Sequence, residues 1–391
     1  MTSNPSVRGP RRVAAIIACA AAAAAGCALG PQVSGPEPIP PASLAGWAAD
    51  PLDGLGSALG RQCAMRAPPV PWPELCGEFA ALPAGTRALR DWLEHRFQAW
   101  PLRDAQGGPN GLVTGYFEPL LTGSRVRESA SQVPLYRRPP DLLTIDLTGV
   151  EPRLDGLRLR GRVQGERVVP YHSRADIETA RPLAGHELLW VDDAVDAFFL
   201  EIQGSGRVRL RDGSVARVGY ADQNGHPYRA IGRSLVERGA MTLEQVTAPS
   251  IRRWLREHPA QAAEVMRTNP SKVFFRELPP APPTAAGEPE PGPPGSLGVP
   301  LTAMRSLAVD RSVVPLGSLL WMDAAHPLDP APMRRVMAAQ DTGGAIVGRV
   351  RADFFWGFGE LAERAAGTMR SSGRLWVLWP RERPPPPGLA R

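Results

Sequence analysis

Apolar residues recur at helical spacing in residues 86–100, where Leu89, Trp92, Leu93, Phe97 and Trp100 share one face. The spacing predicts an amphipathic helix whose aromatic side chains pack into a core. The pattern then changes to alternation. Residues 112–120 read as a strand that stops at Glu118-Pro119, because proline brings no amide to a ladder. Dense turn and strand signals make residues 142–171 β-rich, and residues 198–202 read as a strand entering the turn Gly204-Ser205-Gly206. Residues 207–211 and 214–218 alternate about Asp212-Gly213, a hairpin signal. Helical spacing returns over 227–238. Thr242 with Gln245 makes a capping box, and Pro259 opens a further helix that Asn269-Pro270 stops. Strands resume over 301–309, 318–322, 333–339 and 375–379.

Both ends of the chain fall outside these periods. Arg8, Arg11 and Arg12 precede an uncharged, alanine-rich run over 13–25. That run is shorter than the ~20 residues of a membrane-crossing helix, so residues 1–27 read as an export signal. It ends in Ala24-Ala25-Gly26-Cys27, which resembles a bacterial lipoprotein cleavage box. Cys27 is therefore the lipidation candidate, with an incidental small residue as the other reading. A lipid anchor there would place the protein in the periplasm on the outer membrane of a Gram-negative host. Residues 28–45 read as a flexible tether, 279–294 as a linker without core-forming residues, and 381–391 as a disordered tail. Cys63 and Cys76 are an even pair suited to one disulfide in an oxidising compartment, with two buried thiols as the alternative.

With 391 residues, 43% of them hydrophobic, the chain can bury a core large enough for two domains. The formal charge of +6 is carried almost wholly by scattered arginines, so no motif supports nucleic-acid binding. No cysteine or histidine cluster has metal-ligand spacing. The stretch richest in chemistry is Gln340-Asp341-Thr342-Gly343-Gly344. A second acid, Asp353, follows twelve residues on, with Phe354, Phe355, Trp356 and Phe358 beside it. Carboxylates for acid–base work, aromatic faces and glycine clearance suit a sugar-binding cleft. A buried turn whose aspartate caps backbone amides is the plainer reading.

Five stretches together resemble one family, the membrane-bound lytic murein transglycosylase A type. They are Gly115-Tyr116-Phe117-Glu118-Pro119, Phe199 to Arg207, Gly219 to Gly225, Asn269-Pro270-Ser271, and the stretch around Asp341. The C-terminal part is also similar to a three-aspartate domain, through Asp310, Asp341 and Asp353. The resemblance implies a mainly β fold with a few peripheral helices. A double-psi β-barrel would be built from both ends of the chain, residues 46–125 and 265–380, with a second β-rich, glycan-binding domain inserted at 126–264 and a groove between them.

The resemblance further implies non-hydrolytic cleavage of the β-1,4 bond between N-acetylmuramic acid and N-acetylglucosamine in peptidoglycan, leaving a 1,6-anhydro end. Asp341 would act as acid and then base. Asp353 and Asp310 would tune it or hold the barrel, with the structural role favoured for Asp310. Thr114, Tyr116, Gln203, Ser205, Gly206, Gly343 and Gly344 would line the groove. Glu118 is a possible second acid or a strand-end residue, and Arg207 a substrate-carboxylate ligand or a solvated side chain. The expected partners are glycan strands and, through the lipid, the outer membrane. No cofactor or metal is implied, and the chain is read as a monomer. A non-catalytic glycan-binding lipoprotein and a hydrolytic muramidase are the competing functions.

Overall fold

The computed structural model describes residues 37–69, 71–147, 149–154, 159–281, 284 and 290–386. The expected export signal, Cys27 and the first part of the expected tether lie outside the described residues. In chain order the strands are β1 (Phe97–Pro101), β2 (Gly111–Glu118), β3 (Leu120–Ser124), β4 (Val133–Tyr136), β5 (Leu143–Thr144), β6 (Arg160–Gln164), β7 (Arg167–Pro170) and β8 (Glu187–Val191). They continue with β9 (Ser205–Arg209), β10 (Val215–Gln223), β11 (Val273–Leu278), β12 (Ser306–Val309), β13 (Leu319–Ala324), β14 (Met333–Asp341), β15 (Arg351–Phe358) and β16 (Arg370–Pro380).

Six of these strands close on themselves. β2 pairs in parallel with β15, β15 antiparallel with β12, and β12 in parallel with β14. β14 then pairs antiparallel with β13, β13 with β16, and β16 with β2. Closure leaves no free edge in the ring. β16 is long enough to serve twice, since Arg370–Gly373 pair with β2 and its last five residues with β1.

β13 and β14 are buried on both faces. Leu320, Met322, Met337 and Ala339 enter the barrel interior with Phe354 and Trp356. Leu319, Trp321, Val336 and Ala338 face a second cluster that includes Trp47, Leu59, Trp72 and Trp92. This explains why the apolar run before Asp341 does not alternate. Under β14, the buried Arg305 grips Asp50 at 2.7 and 2.9 Å, and Asp50 also accepts the Val336 amide at 2.7 Å. Cys63 and Cys76 are bridged, Cα to Cα 5.5 Å.

A second sheet, in the order β11-β10-β9-β3-β8-β4, forms the inserted unit, with β5-β6-β7 as a small separate sheet. β3 pairs with β9 and β8, and β11 with β10. β3 and β11, which flank residues 126–264, both pair in this sheet and not in the barrel.

The structure corrects several local expectations. Residues 198–202 are not a strand but part of the helix Ala194–Gln203. Asp193 caps it by accepting the Val195 and Asp196 amides at 2.7 and 3.0 Å, and Gly204 at φ 78° closes it. Ala197 and Leu200 pack on the second sheet while Val195, Phe198 and Phe199 pack among helices, so the helix is apolar nearly all round and shows no period. The helix expected over 86–100 ends at Arg96, and Phe97 and Trp100 lie in β1, where pairing with β16 replaces helical bonds. Helix covers only Ile231–Glu237 of 227–238, and strand only Ser306–Val309 of 301–309.

The supposed tether is built in from Ile39, which exchanges two backbone hydrogen bonds with Ala99, and Leu44 is buried. The tail is held through 386, with Trp379 Nε1 donating to the Pro384 carbonyl and Arg381 donating to the Glu94 and His95 carbonyls. Pro291 and Pro293, at the end of the supposed linker, are buried. Among the described residues no helix is long and apolar enough to cross a membrane.

Candidate active site

A cavity of about 2560 Å³ opens between barrel and insert. That exceeds the ~300–1,000 Å³ of a small-molecule pocket and suits an extended, polymeric ligand. The barrel contributes Thr114, Tyr116, Asp341 and Asp353 to its wall, and the insert contributes Gln203, Ser205 and Tyr228.

Asp341 ends β14, where the apolar strand gives way to the Thr-Gly-Gly turn. Its Oδ2 accepts the Tyr116 hydroxyl at 3.0 Å. Its Oδ1 accepts the Ser296 amide at 2.9 Å, the Ser296 hydroxyl at 3.0 Å and the Thr342 amide at 2.9 Å. Burial raises its pKa above the usual carboxylate value, against the pull of the Ser296, Thr342 and Tyr116 hydrogen bonds. Tyr116, from β2, is held well above the ordinary phenol range by burial and by the charges of Asp341 and Asp353. It stays a hydroxyl donor at any working pH.

Asp353 lies on β15, and Ala308 of β12 is the register partner of both Asp341 and Asp353. The two acids thus stand two strands apart, about 10 Å between Cα atoms, across one methyl group. Burial pushes Asp353 up to about 6, opposed by the Thr114 hydroxyl and by Arg351 and reinforced by Asp341. Thr114 donates to Asp353 at 2.5 Å and accepts from Arg351 at 2.9 Å. A half-buried acid of raised pKa beside hydroxyl donors, in a polymer-sized groove, is equipped to protonate a leaving oxygen.

Other expected residues fall differently. Gly343, Gly344 and Asp310 reach the cavity wall. Asp310 caps a turn, accepting the Ser312 amide and hydroxyl at 3.0 and 2.6 Å and the Gly348 amide at 2.8 Å. Burial works against its charge, yet these bonds hold its pKa low, so it stays a carboxylate. Gln203 spans the two lobes, its side-chain carbonyl accepting the Phe117 amide at 2.9 Å. Gly206 does not line the groove. A Cβ there would lie 2.3 Å from Leu200 Cδ1 and 3.0 Å from the Pro119 carbonyl, so it is a packing glycine.

Glu118 is no second acid in the cleft. It is buried and paired with Arg207 at 2.9 Å, and burial raises its pKa against Arg207 and Arg217. Arg207 is neither solvated nor free for substrate, because it also pairs with Glu290 and lies 3.8 Å over the Phe358 ring. The expected aromatic platform fails as well. Phe354, Phe355 and Trp356 are core residues, while the half-exposed rings lining the groove are Tyr220 and Tyr228.

Sequence reasoning missed Ser296, Arg351 and Tyr228. Arg351 had a signal, since a residue two before Asp353 on a strand shares its face. It also missed the buried charge cluster beneath the insert, where Glu201 binds Arg174 at 2.7 Å and Lys272, the only lysine in the chain, at 2.6 Å. Among the described residues no group of acids, histidines or cysteines is placed to hold a metal.

Residues 112–276 match the family model for the MltA specific insert domain, and residues 305–379 match the 3D domain. Membrane-bound lytic murein transglycosylase A of Escherichia coli K12 is 31% identical over 308 residues, 74% of each chain. The solved lytic transglycosylase LtgG of Burkholderia pseudomallei is 39% identical, with 90% of this chain and 97% of that one covered at a TM-score of 0.58. Escherichia coli MltA, solved with bound chitohexaose, is 28% identical, with 83% and 90% covered at a TM-score of 0.63. With Asp341 and Asp353 facing one groove between a matching insert and a matching three-aspartate part, the chain belongs to the membrane-bound lytic murein transglycosylase A family.

Proposed function

We propose that this protein is a peptidoglycan lytic transglycosylase in which Asp341 is the single acid–base group. The observation that carries this reading is Asp341 itself, a raised-pKa carboxyl facing the groove with one oxygen held by three donors and the other met, among the described residues, only by the Tyr116 hydroxyl. Chitohexaose bound to the Escherichia coli relative supports a groove that takes β-1,4-linked N-acetylated sugars.

In the first step the proton of Asp341 passes to the glycosidic oxygen as the bond from C1 of N-acetylmuramic acid to that oxygen breaks. The sugar's own C6 hydroxyl then attacks C1, and its proton returns to Asp341 as the 1,6-anhydro ring closes. No water is consumed. Tethering the nucleophile beside C1 carries an effective molarity on the order of 10⁵ M or more, which is why one carboxylate can do the work of two. Asp353, protonated below about pH 6, and Thr114 hold the wall of the groove beside the reacting sugar. The barrel is read as double-psi, which its two parallel pairings support. Cys27 is read as a lipid anchor that keeps the enzyme in the periplasm.

Mass spectrometry of fragments released from purified murein by a chain lacking residues 1–27 tests the reading. The expected products are lighter by one water than hydrolysis products, and Asp341→Asn lowers the rate by about 10²–10⁴-fold. One observation favours a hydrolytic muramidase instead, a second carboxyl two strands away that is charged above pH 6. Reducing ends among the products would select it. Binding of murein without any release would leave a glycan-binding module.

A further inference from the structure

Residues 290–305, which lead into β12, turn over Asp341. The geometry of this loop is built rather than draped. Gly292 donates its amide to Leu301, Leu301 to Pro293, and Gly295 to Val299, which makes residues 292–301 a tight out-and-back excursion. At its tip Gly295 passes so close to β14 that a Cβ would lie 2.4 Å from the Gln340 carbonyl. The Leu297 amide bonds that same carbonyl at 3.1 Å. Gln340 is itself buried and pinned, donating to the Ala58 carbonyl at 3.0 Å and accepting from the Ser306 hydroxyl at 2.7 Å. A rigid strand end therefore holds the loop, and the loop sets Ser296 on one side of the Asp341 carboxylate.

We infer that Ser296 is a positioning residue that divides the work of the two Asp341 oxygens, fixing Oδ1 as the permanent acceptor and leaving Oδ2 to give and take the proton. The inference rests on the transglycosylase reading above. Oδ1 receives the Ser296 amide, the Ser296 hydroxyl and the Thr342 amide, while the Thr342 hydroxyl lies 2.7 Å from the Ser296 hydroxyl. With the Ser296 proton on Oδ1, Thr342 donates into Ser296, and the two hydroxyls form one directed chain. Three donors fill the lone pairs that a proton on Oδ1 would need.

Among the described residues Oδ2 meets the Tyr116 hydroxyl alone, and that donor does not ionise. The proton that reaches the glycosidic oxygen therefore leaves from Oδ2, and the C6 hydroxyl proton returns there. Among the described residues the charged group that acts on this carboxyl is Asp353, which is itself met by Arg351, both from β15. Neither bonds Asp341, so the asymmetry between its oxygens comes from Ser296 and Thr342.

Ser296 is exposed, so its replacement leaves the fold intact. The test compares wild type, Ser296→Ala, Ser296→Thr and Asp341→Asn on purified murein, following anhydro-ended product and the pH dependence of kcat and kcat/KM. Losing a hydroxyl donor to the charged form raises the carboxyl pKa, so Ser296→Ala moves the alkaline limb upward by roughly one pH unit. It also lowers kcat about ten-fold with KM nearly unchanged, and Ser296→Thr restores both. A Ser296→Ala profile superimposable on wild type overturns the assignment, as does a loss that threonine fails to repair. A wild type without anhydro-ended product, or an Asp341→Asn chain that still makes it, overturns the transglycosylase reading instead, so the two failures are distinguished.

Discussion

Asp50→Asn removes the charge that neutralises Arg305 without emptying the space it fills. The two side chains are fully buried, and the carboxylate holds the Arg305 guanidinium at 2.7 and 2.9 Å, the Leu52 amide at 3.1 Å and the Val336 amide at 2.7 Å. In the variant an NH₂ group faces donors, and the guanidinium keeps the Val336 and Asp53 carbonyls at 2.9 and 2.6 Å, with its remaining carboxylate, Asp53 at 2.7 Å, on a side chain 64% exposed. Breaking a buried pair from one side costs ~3–5 kcal/mol, and the surviving Asp53 contact puts the expected loss near the lower end. Urea unfolding followed by tryptophan fluorescence reads it directly, because the Trp47 and Trp321 rings lie 5.2 Å apart in the same layer. The midpoint should fall with the slope unchanged. The double variant Asp50→Asn/Arg305→Met should recover much of the loss, since no unpaired charge is then buried and the asparagine oxygen still accepts a backbone amide. A cost below about 1 kcal/mol for Asp50→Asn, or a double variant worse than the single, would refute this account of the contact.

Asp353 titrates at about 6 in the folded chain against 3.8 for the free side chain. Its folded-state pKa is raised, so its contribution is complete below pH ~3.8 and is lost as the pH rises through about 6, by up to roughly 3 kcal/mol. Asp353→Asn should match wild type in melting temperature near pH 4 and exceed it at pH 8; a margin that does not grow with pH would reject the burial argument. The Cys63–Cys76 bridge closes a separation of 13 residues around Trp72, whose indole donates to the Gly317 carbonyl at 2.6 Å. Reduction should cost ~3 kcal/mol in a urea titration while murein cleavage persists below the new midpoint. An unchanged midpoint would mean that packing alone holds the segment.

The Asp341 turn and the hairpin at Asp212-Gly213 were legible because each is a local device. An apolar run ending in Asp-Thr-Gly-Gly can be read within a few residues, and so can two alternating stretches joined by Asp-Gly. The helix at Ala194–Gln203 was not legible, because it is sandwiched between a sheet and a helical layer and its apolar residues face every direction. β15 hid for a related reason. Its aromatic residues looked like ligand platforms, whereas Phe354 and Phe355 are 0% and 1% exposed and fill the barrel and the neighbouring cluster. Ser296 stands in a stretch whose prolines and glycines signal only the lack of regular structure. What gives it a role is the crossing of β14 beneath it, which local pattern does not encode. Which sheet accepts β3 and β11 is likewise a long-range decision.

The ring of strands has a consequence for when the site can exist. The Thr114–Asp353 and Tyr116–Asp341 hydrogen bonds join residues 239 and 225 positions apart. Loop-closure entropy grows slowly with length, yet such distant pairings still put barrel closure among the slow folding events. The inserted sheet lies wholly between these partners and can form first. β2 waits for β15 on one edge and for β16 on the other. A chain cut short before Arg370 would carry Asp310, Asp341 and Asp353 and still lack the strand that seals the ring. Cutting power is thereby tied to completion of the polypeptide: an unfinished copy has the acids but no closed wall to hold them in register.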